Sequence, residues 1–164
     1  MEPPDFETVV RRLNEYRVEF VLIGGMAAMA HGVSLVTFDI DVCCSFQREN
    51  LFNLQKALAN VHPVHRMTPQ KLPLEITSEN VDRLRNLYLD TDIGTIDCLS
   101  EVAGLGGFQA VVPLSVELEL PSGRFRVLSI DALIRAKQAI NRTQDKIAVA
   151  QLLAIRERLR VKSS

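Results

Sequence analysis

The sequence lacks an excess of charge of either sign. Its 19 lysines and arginines nearly match 20 acidic residues, and the net charge is -1. A chain so balanced has no overall field to draw in nucleic acid, so any such contact has to be local. The one basic cluster, Arg156, Arg158, Arg160 and Lys162, is accounted for by a charged helix end. No apolar run approaches the roughly 18 residues of a transmembrane helix, so no membrane contact is expected. The start, Met-Glu-Pro-Pro-Asp, lacks the basic-then-apolar form of a signal peptide. Cysteine is scarce and odd in number: Cys43, Cys44 and Cys98 all sit in apolar, strand-like runs. That pattern reads as reduced, buried thiols in a cytoplasmic protein. There is no internal repeat and no low-complexity segment. His62-x-x-His65 has no cysteine or acidic partner at metal-ligand spacing and reads as a loop feature.

What is present is ordinary globular material. The 164 residues, 47% hydrophobic and 24% charged, suffice for one domain over 1–164 with a sizeable core. Asp5 is placed to cap a helix whose inner face is Phe6, Val9, Val10 and Leu13. A second amphipathic helix is expected over Arg48–Asn60, with Leu51, Leu54 and Leu58 inward. The stretch from Val61 to Pro73 reads as irregular, and Ser78–Arg85 as a short helix. Leu87–Asp90 and Gly94–Leu99 read as two strands around a turn. Gly104–Gly107 reads as a flexible link. Val116–Leu120 and Arg124–Leu128 flank Pro121-Ser122-Gly123, a hairpin signal. The sheet core thus runs over about 18–128. Helices follow over about 129–160: one capped by Ser129 and reaching Asn141, another from Gln144 to Arg160. The last helix has two apolar stripes, Ile147/Ala150/Ala154 and Ala148/Leu152/Ile155/Leu159, more than one core contact needs. The class is α/β (α+β).

The most informative stretch is Gly24-Gly25 followed by Asp39-Ile40-Asp41. Phe20–Ile23 reads as a buried strand leading into the glycines. Glycines there allow a sharp turn with no side chain between backbone and ligand. Met26–Ala30 then reads as a short helix, ended by His31-Gly32, whose free N–H groups suit phosphate. The chain returns as a strand over Phe38–Cys44, on which alternation puts Asp39 and Asp41 on one side and Ile40 and Val42 toward the core. Two carboxylates roughly 7 Å apart on a strand, beside a phosphate-ready turn, suit Mg²⁺ (or Mn²⁺) and a nucleoside triphosphate. Asp97 is an acid inside an apolar strand, which needs either a hydrogen-bonding partner or a function. Lys137 continues the apolar stripe Ile130, Leu133, Ile134; either its stem packs while the ammonium snorkels out, or it reaches an anion. Arg142 and Asp145 are spaced to form a local ion pair.

These residues resemble a nucleotidyltransferase domain of the polymerase-beta-like superfamily, and especially its small bacterial members, some of which are toxins of toxin–antitoxin pairs. The shared pattern is a Gly-Gly or Gly-Ser turn, an Asp-x-Asp pair and a third carboxylate on a later strand. Lys137-x-x-x-x-Arg142-x-x-Asp145 is similar to a lysine-and-arginine element of the small families, which implies that Lys137 faces the cleft. The resemblance implies a mixed central sheet flanked by helices, with a C-terminal helical segment. It implies transfer of a nucleoside monophosphate from a triphosphate such as ATP to a hydroxyl of RNA (tRNA), a protein or a small molecule. Asp39 and Asp41 would bridge two Mg²⁺ ions, Asp97 would hold the one nearest the acceptor, and Gly24, Gly25, Thr37 and Lys137 would bind the nucleotide. An antitoxin or a second copy is an expected partner. The chain departs from the pattern at Gly25, where the wider superfamily has serine, and at Val33–Thr37, where relatives often carry an arginine and this chain has Leu35. The alternative is a non-catalytic binding module of the same fold acting through a protein partner.

Overall fold

The computed structural model describes residues 2–163; the first and last residues of the expected 1–164 domain lie outside them. Helix α1 (Phe6–Glu15) starts where Asp5 accepts a hydrogen bond from the Thr8 N–H at 3.2 Å, and it buries Val9, Val10 and Leu13. Strand β1 (Phe20–Ile23), buried at every position, leads into helix α2 (Gly24–Ala30). β2 (Asp39–Cys44) follows, then α3 (Arg48–Leu58), extended by a tight turn over Ala59–Val61. A two-residue strand β3 (Val64–His65) precedes the longer β4 (Asn86–Thr91) and β5 (Gly94–Leu99). β6 (Glu101–Val102) and β7 (Gly106–Gly107) pair with each other, and α4 (Phe108–Val111) leads to the hairpin β8 (Ser115–Leu120) and β9 (Gly123–Leu128). Helices α5 (Ile130–Ile140) and α6 (Lys146–Lys162) end the chain.

Seven strands form one mixed sheet in the order β3-β4-β5-β2-β1-β9-β8. β2 runs parallel to β5, and β1 parallel to β9; the remaining neighbours are antiparallel. One hydrophobic cluster joins the sheet to α1, α2, α3, α5 and α6. The class, a mixed sheet flanked by helices with a helical C-terminal segment, is the expected one.

Four local expectations are revised. The glycines do not precede α2 but open it; Gly24 has φ +69° and so starts the helix from a conformation that favours glycine. Ser78–Arg85 forms only a tight turn at Val81–Arg83, since Val81 is the one residue of that turn in the core. The 61–73 stretch holds β3, which pairs with β4 through Val64–Asp90 and His65–Leu89. Gly104–Gly107 includes β7, so half of that link is paired strand. On α6, Ala148, Leu152 and Ile155 of the second stripe are buried, while its Leu159 and the first stripe's Ile147 stay exposed.

Candidate functional site

The register of the sheet sets the acids side by side. In the parallel pair β2–β5, Asp41 lies opposite Asp97 and Asp39 opposite Thr95. In the antiparallel pair β4–β5, Tyr88 lies opposite Asp97. The Arg66 N–H donates to the Tyr88 carbonyl at 3.0 Å, just past β3. Arg66, Tyr88, Asp97 and Asp41 therefore form a row across four strand positions, with side chains on one face. Burial first, then the nearby Asp97 and Asp39, push the Asp41 carboxyl up to about 6. Burial also raises Asp97, against the pull of Arg66. Both shifts reflect anionic charge held out of water with too little cation to offset it.

Arg66 was not foreseen. Its Nη2 donates to Asp97 Oδ2 at 2.6 Å, and its guanidinium carbon sits 5.3 Å from the Tyr88 ring centroid. The other Asp97 oxygen, Oδ1, is buried without a hydrogen-bond partner. Arg66 lies in the irregular stretch among prolines, where no periodicity assigns a side chain to any face. Tyr88 gave the better signal, since strand alternation places it beside Asp97.

Two cavities meet at Asp41, Lys137 and Arg142. One, about 430 Å³, has a largely apolar wall that includes Tyr88, Leu99, Leu133 and Ile140. The other, about 580 Å³, is lined by Gly25, Thr37, Asp39, Gln144 and Gln151 among others. Gly24 lines the first. Asp97 lines neither; it lies behind the wall, beside Tyr88 and beneath Arg66. Among the described residues, no three histidine, cysteine or acidic side chains converge closely enough to share a metal ion. Asp39 and Asp41 face the cleft as a pair, while Asp97 is turned to its own arginine. Asp41, with carboxylates on both sides and its proton affinity raised, fits a divalent cation. Asp97 fits one through Oδ1 only.

The two glycines owe their identity to close approach. A Cβ on Gly24 would stand 2.6 Å from Asp41 Oδ2. A Cβ on Gly25 would meet the Thr37 side chain at 3.3 Å and Leu35 at 3.5 Å. Thus Leu35 and Thr37 crowd the space above Gly25, and a side chain there would press on Thr37. Thr37 Oγ1 lies 3.3 Å from the Asp39 carbonyl, so it braces the start of β2. The Ser34 N–H donates to Gln151 Oε1 at 2.8 Å, which ties this loop to α6.

Opposite the acids, the helical segment brings cations. Lys137 Nζ donates to Asp145 Oδ1 at 3.2 Å, and Arg142 Nε to Asp145 Oδ2 at 2.7 Å. Lys137 lines both cavities, as the stripe argument allowed, with its ammonium held by Asp145. Arg142, read from spacing as half of a local pair with Asp145, forms that pair and lines both cavities as well. Two cations share one carboxylate, so this wall presents a net positive charge to the cleft. His62 pairs with Asp92 on the surface and has no part in the site.

No protein-family profile and no curated protein sequence matches the chain. Solved structures do match in fold. A lincosamide antibiotic adenylyltransferase, LnuA, with lincomycin bound, superposes with TM-score 0.62 at 15% identity, covering 94% of this chain and 99% of that one. A putative nucleotidyltransferase from Thermotoga maritima gives 0.58 at 14% identity, over 91% and 90% of the two chains. ANT(2'')-Ia, solved in complex with adenylyl-2''-tobramycin, gives 0.54 at 12% identity over 97% of each. At these identities the likeness concerns the fold, and the chain has the fold of the nucleotidyltransferases that it matches.

Proposed function

We propose that the protein transfers a nucleoside monophosphate from a nucleoside triphosphate to a hydroxyl of a small organic acceptor. The observation that carries this reading is the facing of charges across one cleft. Asp39 and Asp41 stand on the sheet side, and Lys137 and Arg142 on the helical side. Such a cleft suits a triphosphate that arrives with a divalent cation: carboxylates take the cation and ammonium and guanidinium groups take phosphate oxygens. Bound there, Mg²⁺ or Mn²⁺ on Asp39 and Asp41 would supply charge neutralisation at the transferring phosphate. Lys137 and Arg142 orient the polyphosphate and offset the charge of the leaving pyrophosphate. Gly24 and Gly25 let it approach the backbone, with Thr37 beside them. Asp97, the third carboxylate, lies opposite Asp41 behind the cleft wall, where its charge raises the proton affinity of Asp41 and so favours a cation there. The acceptor oxygen bonds to the α-phosphorus while the bond to pyrophosphate breaks.

The apolar cavity supports a small acceptor over RNA. It is about 430 Å³, and a net charge of -1 gives the chain no overall field to attract RNA. Two matched structures hold antibiotic-type molecules, lincomycin and adenylyl-2''-tobramycin, which points the same way. The test is pyrophosphate release from each of the four triphosphates, with hydroxylated antibiotics, tRNA and protein as acceptors. Release that requires Mg²⁺ or Mn²⁺ and vanishes in folded Asp39→Asn and Asp41→Asn supports the reading. Absence of both release and metal-dependent nucleotide binding defeats it. A binding module, with or without an antitoxin-like or identical partner, is the second reading. Leu35 favours it, since no cation occupies that loop and the side chain packs against the core.

A further inference from the structure

We infer that Arg66 takes the place of a second divalent cation beside Asp97, so that the site carries one metal ion, on Asp39 and Asp41, rather than two. The inference rests on the nucleotidyl-transfer reading. In a two-metal site the second ion lies about 4 Å from the first and both are clamped by shared carboxylates. That needs an Asp97 oxygen open to the cleft. Here Oδ2 is 2.6 Å from the Arg66 guanidinium, and Oδ1, though unpartnered, is buried outside both cavities. Asp97 lines neither cavity, and no three acidic side chains converge among the described residues.

Arg66 is not a loose surface side chain that a metal ion would brush aside. Its backbone N–H is tied to Tyr88 at 3.0 Å, its guanidinium lies over the Tyr88 ring, and its side chain is only 24% exposed. Guanidinium is planar, permanently charged and weakly hydrated, so it tolerates such a half-buried place better than an ammonium. Displacing it would strip a charge of its partner in a half-buried site, which is costly. Its positive charge beside Asp97 also repels a second cation there. The row Arg66, Tyr88, Asp97, Asp41 thus already contains one resident cation at the acceptor end. Arg66 acts as a positioning residue: it holds Asp97 still and lends the charge that a second ion would otherwise bring.

The test counts Mn²⁺ bound per chain by electron paramagnetic resonance, with saturating α,β-methylene-ATP as the non-reacting nucleotide. The wild type should hold one ion. Arg66→Gln, which removes the resident charge and frees Asp97, should hold two, and Arg66→Lys should stay at one. Arg66→Met stands in if the glutamine variant does not fold. Two ions on the wild type would overturn the inference while leaving nucleotidyl transfer intact. So would a folded Arg66→Gln and Arg66→Met that both remain at one. No ion on the wild type would instead defeat the nucleotidyl-transfer reading, and this inference with it.

Discussion

Asp97 and Asp145 invite comparison because they are so alike in burial. Each side chain is 10% exposed, and each is gripped by an arginine. Their carboxyls nevertheless move in opposite directions. At Asp145, burial pushes upward, but hydrogen bonds and charge from Arg142 and Lys137 outweigh it, and the net shift is downward. At Asp97, burial pushes upward against Arg66 alone, with Asp39 and Asp90 adding to the rise, and the net shift is upward. Burial sets the scale of both; the local count of charges sets the sign. Two cations to one carboxylate make a structural joint between α5 and α6. One cation amid several carboxylates makes a strained site, and strain of that kind marks places where a ligand can relieve it.

The comparison breaks hardest at Asp145. Asp145→Asn should destabilise the protein by about 3 kcal/mol, because it leaves the largely buried Lys137 without its partner. Urea unfolding at neutral pH measures this. The opposite outcome is expected at Asp41. Asp41→Asn should abolish pyrophosphate release yet raise stability by about 2 kcal/mol at pH 8, since it removes a carboxylate whose ionisation the fold opposes.

The pH dependence sharpens the same contrast. The folded Asp41 value, about 6, lies above the ordinary 3.8. Between those values the native state binds the extra proton, so the Asp41 contribution improves as the pH falls from 6 toward 4. Asp145 is depressed, so its contribution is complete above its ordinary value and fades only as the pH drops below about 4. The stability difference between wild type and Asp41→Asn should therefore vanish near pH 4, while that for Asp145→Asn persists there. A smaller effect is expected at Gly24→Ala. Positive φ alone costs an alanine about 1–2 kcal/mol, and the new methyl displaces the Asp41 carboxylate. Nucleotide affinity should fall along with stability. Isothermal calorimetry with ATP and Mg²⁺ reads the first and thermal unfolding the second.

Much of the fold was written in local patterns. Period-two alternation placed Asp39 and Asp41 on one face, the Pro121-Ser122-Gly123 turn marked a hairpin, and Asp5 and Ser129 capped the helices assigned to them. What escaped was whatever depends on distant register. The resemblance implied that Asp97 joins Asp39 and Asp41; that it lies directly opposite Asp41, with Tyr88 on its other side, is set by the strand order β4-β5-β2, which no local pattern encodes. Arg66 follows a two-residue edge strand in a proline-punctuated stretch, too short for any period to show. The roles of Lys137 and Arg142 were legible only in part. Their spacing indicated an ion pair and a lysine on an apolar stripe, but not that both would reach one buried carboxylate while lining the cleft.

The three thiols at the centre of the sheet have a practical use. Cys43, Cys44 and Cys98 are fully enclosed on β2 and β5, which meet at the core of the molecule. Burial lifts the Cys43 thiol to about 11, and Cys44 is raised well above its usual value by its hydrogen bond with Cys98 and by burial. At neutral pH almost none of the Cys43 or Cys44 sulfur is thiolate, the form that reacts with disulfide reagents. Modification must then wait until β2 and β5 separate, and those strands also carry the acids of the cleft. The labelling rate of an unmodified sample becomes a clock for the opening of the sheet centre, with no probe introduced. Any nucleotide that binds at Asp41 should slow that clock.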